Sequence, residues 1–287
     1  MNSKSINYWS YPGGLDSTLA PPDFFAKAKS HGYEAVEVSI DDQGAFTLDA
    51  SQDECRTLLA QASEIGVRIE SAASGTYWAF NLASEGREER AKARGALEKM
   101  AHITSWLQCK TLLVIPGAVD VFFMPSRPIQ RYDLVLEAAQ DGLGAVLPVA
   151  EDAGVTLAIE NVWNKFLLSP TELASFIDGF NSRSIGAYVD VANVLPYGYP
   201  EQWLRILGHR VAGVHFKDYR RAVGTAEGFV DLLEGDVNWP EVMKAIQEIG
   251  FEGPVVAELI PPFKHHPDAR AAMNSVAMDF ILGRRTG

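Results

Sequence analysis

The chain has 287 residues, 47% of them hydrophobic, which is enough apolar material for a large buried core. Its 37 Asp and Glu residues outnumber its 25 Lys and Arg residues, and the formal net charge of -12 repels nucleic-acid phosphates and anionic lipids. No stretch approaches the roughly 20 consecutive apolar residues of a membrane span, and the first residues lack the apolar core of a signal peptide. We therefore expect a soluble, cytoplasmic protein that binds neither nucleic acid nor membranes.

Strand-like and helix-like segments alternate along the chain. The apolar, β-rich segments that we predict as strands are 7–11, 34–40, 67–71, 111–115, 155–160, 185–190, 211–215 and 254–258. Between them apolar residues recur at helical spacing, as in 53–65, 88–107, 134–153 and 240–249. A glycine stands between a predicted helix and the next predicted strand at Gly32, Gly66, Gly154 and Gly250, where we expect the left-handed conformation that ends a helix.

Short strand–helix units with nearly continuous apolar strands are typical of a parallel sheet that is covered by helices. Eight such units most simply close into a (β/α)8 TIM barrel, so we predict an α/β fold with one barrel domain over residues 1–287. The alternative is an open, doubly wound sheet. The sequence offers no GxGxxG turn after any predicted strand, which argues against a dinucleotide-binding sheet of that kind.

Side chains that can bind metals stand at the carboxyl ends of the last four predicted strands: Glu160, Asp190, His215 and Glu258. In a barrel these strand ends face one mouth, so the four side chains can surround one ion. Three carboxylates would repel one another without a cation, and oxygen ligands with one imidazole suit Mn²⁺, Mg²⁺ or Co²⁺ better than a closed zinc site. The sequence predicts one divalent cation here; alternatively, each residue is an ordinary loop group that caps a helix or pairs with a lysine.

Further polar and aromatic residues lie close to these predicted ligands in the sequence. Lys217, Arg220 and Arg221 follow His215 and could hold a phosphate or polarise a substrate oxygen, or they could pair with acidic residues nearby. Trp163 could form a wall for a sugar or could simply pack in the fold. Glu37, near the end of the second predicted strand, could point inward behind the ligands or into solvent.

Four segments resemble the sugar-phosphate isomerase/epimerase superfamily: 160–170, 187–194, 214–221 and 234–242. These xylose-isomerase-like TIM barrels include ketose 3-epimerases, L-xylulose- and L-ribulose-5-phosphate 3-epimerases, and proteins similar to hexulose-6-phosphate isomerase. The resemblance is close from Val155 to Glu258 and looser before it. It implies that the four predicted ligands hold one divalent cation, with Mn²⁺ favoured, and that Glu160 and Glu258 also act on the substrate.

The same resemblance bears on substrate binding. It implies that Arg221 contacts the substrate, and we add Asn193, Lys217 and Trp163 as candidate substrate-binding residues. Asn193 stands where the free-sugar epimerases carry a His, and Phe166 stands where they carry a second carboxylate. Asn193 resembles the sugar-phosphate branch of the superfamily, and both departures weaken the interpretation as a free-sugar epimerase.

The predicted function is that of a metal-dependent epimerase or isomerase of a ketose or ketose phosphate. Glu160 and Glu258 would be the acid/base pair that epimerises C3 through a metal-stabilised enediolate. An aldose–ketose isomerase and a metal-dependent lyase or dehydratase of a polyol or keto-sugar remain alternatives, as does a sugar sensor. The net charge argues against an apurinic-site endonuclease. We expect a small carbohydrate as the partner and a homodimer or homotetramer as the assembly.

Overall fold

The computed structural model describes residues 2–285, within which eight parallel strands close into a barrel. The barrel strands are β1 (Lys4–Asn7), β2 (Ala35–Ser39), β3 (Arg68–Ala73), β4 (Thr111–Val114), β5 (Thr156–Glu160), β6 (Ile185–Asp190), β7 (Val211–Phe216) and β10 (Val255–Ala257). Their order around the barrel is β1-β10-β7-β6-β5-β4-β3-β2. A short antiparallel pair lies in the loop after β7 and consists of β8 (Asp218–Tyr219) and β9 (Phe229–Val230). The predicted (β/α)8 barrel is confirmed.

Helices follow the barrel strands: α1 (Pro21–Ser30), α2 (Gln52–Ile65), α3 (Arg87–Trp106), α4 (Tyr132–Ala153), α5 (Pro170–Asp178), α6 (Pro200–Leu207), α7 (Trp239–Glu248) and α8 (Pro267–Ile281). The predicted glycine caps are confirmed: α2 ends at Gly66 with φ 86° and α4 ends at Gly154 with φ 67°, both left-handed. Among residues 2–285, no helix is both long enough and apolar enough to cross a membrane.

The predicted first strand, 7–11, was wrong. The strand is Lys4–Asn7, and Tyr8–Ser10 form a 3-10 turn because the Asn7 side chain accepts a hydrogen bond from the Trp9 N–H at 2.7 Å. The aromatic residues of this turn resemble strand residues in composition. The true start escaped prediction because Lys4 is buried in the strand, where its ammonium pairs with Asp279 of α8 at 2.7 Å.

Strand β6 illustrates how the barrel interior is filled. All six of its residues are buried, as expected for a parallel strand that is covered by helices outside and by side chains within. Tyr188 crosses the interior to Glu37 on β2, so Asp190, two residues later, lies on the same inward face. The Tyr188 ring lies against Gly213 on β7, where a Cβ atom would come within 2.5 Å of the ring. Gly213 therefore leaves the space that the ring occupies.

Candidate metal centre

The predicted ligands Glu160, Asp190, His215 and Glu258 meet at the carboxyl end of the barrel. Each offers one ligand atom, and these atoms all lie within 4.8 Å of one another in a buried cluster. Glu160 and Asp190 are the last residues of β5 and β6, and the register of β6 and β7 pairs Asp190 with His215. The parallel strands therefore bring these residues together although they are far apart in the sequence.

Asp190 is held so that one of its carboxylate oxygens is free to bind a ligand. Its Oδ1 atom accepts hydrogen bonds from the N–H groups of Ala192 and Asn193, both at 2.8 Å. Its own N–H donates to Asn161 Oδ1 at 2.9 Å, which fixes the end of β6 against the end of β5. Oδ2 is left on the cluster side of the carboxylate.

The imidazole of His215 is oriented by a carboxylate behind it. His215 Nε2 lies 2.8 Å from Glu37 Oε1, and since an ionised carboxylate can only accept, Nε2 carries the proton. Nδ1 then faces the cluster, 3.4 Å from Glu160 Oε1 and 3.7 Å from Glu258 Oε2. Burial disfavours a charged ring, but the surrounding carboxylates outweigh it and raise the pKa of His215 well above its ordinary value. The Nδ1 position therefore attracts positive charge.

Glu37 is fully buried, which decides between the inward and solvated positions that the sequence left open. Besides the His215 contact, its carboxylate accepts hydrogen bonds from Asn7 Nδ2 at 2.7 Å, Ser71 Oγ at 2.7 Å and Tyr188 Oη at 2.6 Å. Burial opposes its ionisation, but His215 and these donors hold the pKa of Glu37 below its ordinary value. We call this arrangement of Asn7, Ser71, Tyr188 and His215 around the carboxylate the Glu37 cage.

The cluster itself fits a divalent cation. Among the residues that the structure describes, the buried His215 Nδ1 has no hydrogen-bond partner, and the buried Asp190 Oδ2 and Glu258 Oε2 contact the Lys217 ammonium. Burial also raises the pKa of Glu160 to about 7, against the lowering effect of His215. Three buried carboxylates repel one another strongly, and together with one imidazole they are ligands that Mn²⁺, Mg²⁺ or Co²⁺ accepts. The donor set is therefore suited to one such ion.

Lys217 lies inside this cluster rather than in the open mouth. It is buried, its ammonium contacts Glu258 Oε2, and it lies 3.4 Å from Asp190 Oδ2. The ammonium also stands 4.9 Å from the centre of the Phe229 ring. Despite burial, Lys217 holds the pKa of Glu258 below its ordinary value.

Comparison with known proteins places this barrel in a family. The Xylose isomerase-like TIM barrel family matches residues 25–276. The chain belongs to this family. The resemblance to xylose-isomerase-like barrels that the sequence suggested is therefore confirmed.

The curated relatives and the solved structures that resemble this chain include several 3-epimerases. The chain is 28% identical over 289 residues to L-ribulose-5-phosphate 3-epimerase UlaE of Salmonella typhi, covering 99% of this chain and 96% of that protein. It is 26% identical to a putative L-ribulose-5-phosphate 3-epimerase SgbU of Escherichia coli K12, covering 87% of each. A structure of D-psicose 3-epimerase in the presence of D-fructose superposes with a TM-score of 0.78 at 17% identity, over 98% of this chain and 99% of the other. At that identity the superposition shows the shared fold.

The remaining predicted substrate-binding residues surround this barrel mouth. The Asn193 side chain donates to the Asn161 carbonyl at 3.1 Å, and the Trp163 indole donates to the Asn193 carbonyl at 2.9 Å, so both tie the loops after β5 and β6 together. The Arg221 guanidinium is exposed and stacks over the Tyr199 ring at 4.7 Å. Their contacts with a substrate stay predictions.

Sequence reasoning missed the aromatic residues that continue from Trp163 towards solvent. Phe122 and Phe123, in the loop after β4, are 53% and 49% exposed. Phe122 contacts Trp163 at 5.8 Å between ring centres, and Trp163 contacts Phe229 at 4.9 Å. Two adjacent phenylalanines in a predicted loop were the signal available, because large apolar side chains there need a partner or a ligand.

Proposed function

We propose that this protein is a divalent-metal-dependent 3-epimerase of a ketose or ketose phosphate. The observation that carries the proposal is the buried convergence of Glu160, Asp190, His215 and Glu258 on one point at the barrel mouth. The names of the curated relatives, L-ribulose-5-phosphate 3-epimerases at 26% and 28% identity, support the same reaction class. An active site at the carboxyl ends of the strands is the rule for this fold.

The metal ion would be held by those four side chains, with Mn²⁺ our first candidate. When bound, it would supply the positive charge that stabilises the oxygen anion developing on the sugar carbonyl. His215 is prepared for this role because Glu37 holds its Nε2 proton, so Nδ1, which faces the cluster, is the atom that would give up its proton to bind the ion. Asp190 is prepared similarly, since the two backbone donors occupy only its Oδ1 atom.

The proton transfers would belong to Glu160 and Glu258. Strands β10, β7, β6 and β5 are consecutive in the barrel, so these two carboxylates enter the site from opposite ends of a four-strand arc. One of them can remove the proton from C3 of the sugar, and the other can return a proton to the opposite face, which inverts C3. An aldose–ketose isomerase would use the same groups to move a proton between C1 and C2.

The charges around the mouth bear on whether the substrate is phosphorylated. Arg220 lies 3.6 Å from Glu234, and Lys165 lies 2.6 Å from Asp120, so both are already paired. The exposed Arg221 side chain makes no ion pair within residues 2–285, and its guanidinium stacks over the Tyr199 ring. We therefore propose Arg221 as the group that would grip a substrate phosphate.

The direct test is hydrogen exchange in D₂O. Mn²⁺-loaded protein is incubated with a panel of ketoses and ketose 5- and 6-phosphates, and deuterium incorporation and product identity are followed by NMR. Deuterium at C3 together with a new epimer is the expected result, and the Glu160→Gln variant should give neither. Exchange at C1 would point to an isomerase instead, and loss of water from the substrate would point to a dehydratase; either would overturn the proposal.

A further inference from the structure

Lys217 is held differently from the other buried lysine of the barrel, Lys4. The Lys4 ammonium makes hydrogen bonds to Asp279 Oδ1 at 2.7 Å and to the Ser275 carbonyl at 3.3 Å, which is the pattern of a permanent structural contact. In residues 2–285, the polar contacts of the Lys217 ammonium are with two predicted metal ligands: it pairs with Glu258 Oε2 and lies 3.4 Å from Asp190 Oδ2. A buried ammonium whose partners are candidate metal ligands needs a different explanation from that of Lys4.

The oxygens that Lys217 contacts are the oxygens that a metal ion would use. Asp190 Oδ2 and Glu258 Oε2 are both buried, and the Lys217 ammonium is within ion-pair distance of both. An ammonium and a divalent cation on the same buried oxygens would repel each other, because both are positive and burial weakens solvent screening. Lys217 and the metal ion therefore compete for these two atoms.

Charge balance explains why a lysine is tolerated there. Without a metal ion, the three buried carboxylates repel one another strongly. One ammonium beside them relieves part of this repulsion. Lys217 directly follows β7 and stands two residues after His215, and its buried ammonium lies at the cluster. The Lys217 ammonium also lies 4.9 Å from the centre of the Phe229 ring, and an aromatic face attracts a cation.

We propose that Lys217 is a tethered counter-ion of the metal site. Its ammonium neutralises Asp190 and Glu258 in the metal-free protein, and it gives up their oxygens to an incoming divalent cation. This inference rests on the proposed function, because it assumes that the cluster binds a metal. Its consequence is that Lys217 weakens metal binding while it stabilises the metal-free fold.

The test compares Lys217→Met with wild type. Methionine keeps the length and apolar stem of the side chain but removes the charge. The matched control is Lys165→Met, since Lys165 lies at the same mouth but is exposed and pairs with Asp120 outside the cluster. Each protein is stripped with EDTA, dialysed, and titrated with Mn²⁺ by calorimetry at fixed pH and salt.

We expect Lys217→Met to bind Mn²⁺ roughly tenfold more tightly than wild type or more, and Lys165→Met to bind it as wild type does. The metal-free Lys217→Met protein should also melt at a lower temperature than metal-free wild type. The gain in melting temperature on addition of Mn²⁺ should be larger for this variant.

A second measurement needs no variant and covers the case in which Lys217→Met does not fold. Wild-type protein is treated briefly with acetic anhydride with and without Mn²⁺, and acetylation of each lysine is read by peptide mass spectrometry. The proposal predicts several-fold faster acetylation of Lys217 in the presence of Mn²⁺, while Lys4 stays protected and Lys165 stays reactive in both states. Unchanged or slower acetylation of Lys217 with bound Mn²⁺ would overturn the proposal.

The outcomes separate this inference from the function on which it rests. If wild type binds one Mn²⁺ and Lys217→Met binds it no more tightly, Lys217 is not a counter-ion and the metal site stands. If neither protein binds Mn²⁺ at millimolar concentration, both the counter-ion and the metal-dependent function fail.

Discussion

Two groups of buried carboxylates lie side by side in this barrel, and they are treated in opposite ways. The Glu37 carboxylate accepts four hydrogen bonds, from Asn7, Ser71, Tyr188 and His215. In the neighbouring cluster, Asp190 Oδ2 and Glu258 Oε2 share one ammonium, that of Lys217. Burial is common to both groups, so burial alone does not mark a functional site. What distinguishes the cluster is that two carboxylate oxygens share one cation, whereas each Glu37 oxygen accepts two hydrogen bonds.

The same contrast appears in protonation. The donors of the Glu37 cage hold the pKa of Glu37 below its ordinary value in spite of burial. In the cluster, burial raises the pKa of Asp190, against the lowering effect of Lys217, and that of Glu160, whereas Lys217 holds the pKa of Glu258 below its ordinary value despite burial. The cage thus keeps Glu37 ionised, and this negative charge orients His215. The carboxylates of the cluster can instead share their charge with a bound cation. The following substitutions are designed to test this division of roles.

The largest effect should come from the two glutamates of the cluster. Glu160→Gln and Glu258→Gln each remove a group that exchanges a proton with the sugar, and we expect turnover to fall by about 10³-fold in each while the circular dichroism spectrum is unchanged. Steady-state kinetics with the substrate found by D₂O exchange measures this. Glu227→Gln, at an exposed glutamate in the loop after β8, is the control. A nearly wild-type rate in either cluster variant would remove that residue from the acid/base role.

A smaller effect should follow from weakening the cage. In Glu37→Gln the charge behind His215 is lost, and we expect Mn²⁺ affinity to fall by about 10- to 100-fold, as for other carboxylates that support a metal-binding histidine. Calorimetric titration of the stripped protein measures this. If affinity is unchanged while the protein is merely less stable, Glu37 is a structural residue and the division between cage and cluster is wrong.

At the mouth of the barrel, the effect of a substitution on KM should depend on whether the substrate is phosphorylated. We expect Arg221→Ala to raise KM for a ketose phosphate by roughly tenfold and to change KM for the corresponding free ketose much less. Arg220→Ala is the matched control, because its guanidinium is already engaged by Glu234. Equal changes in KM for phosphorylated and free sugars would count against a phosphate grip at Arg221.

The smallest effect should come from one donor of the cage. Tyr188→Phe deletes the hydroxyl that donates to Glu37 at 2.6 Å and leaves the ring in the space beside Gly213. We expect the free energy of unfolding to fall by about 1–3 kcal/mol, because one buried carboxylate oxygen loses a donor. Metal affinity should change less than in Glu37→Gln. Urea denaturation and Mn²⁺ titration of the same preparation compare the two effects.

Most of the fold could be predicted because its signals are local. Apolar strand segments, helical spacing and glycine caps each depend on neighbouring residues, and the four predicted ligands follow from the rule that barrel strands end at one mouth. The first strand was misplaced because a buried ion pair with α8, at the other end of the chain, decides where it begins. No local pattern carries that information.

The supporting groups of the site were harder to predict for the same reason. Glu37 could not be assigned from sequence because its cage is built from Asn7, Ser71, Tyr188 and His215, which lie on four other strands. Lys217 was correctly expected near the site. Its inward position was not predicted, although it stands two residues after His215 and side chains at that spacing point to the same face. The single domain over 1–287, the cytoplasmic location and the homodimer or homotetramer stay predictions.

The most direct test of the central claim is anomalous diffraction from crystals grown with Mn²⁺. The account predicts one strong anomalous peak at the barrel mouth, about 2.0–2.5 Å from a ligand atom of each of Glu160, Asp190, His215 and Glu258. It also predicts that the Lys217 ammonium no longer contacts Glu258 Oε2. A crystal at saturating Mn²⁺ with no peak there, or with the ion bound elsewhere, would contradict the claim that the barrel is built around this metal centre.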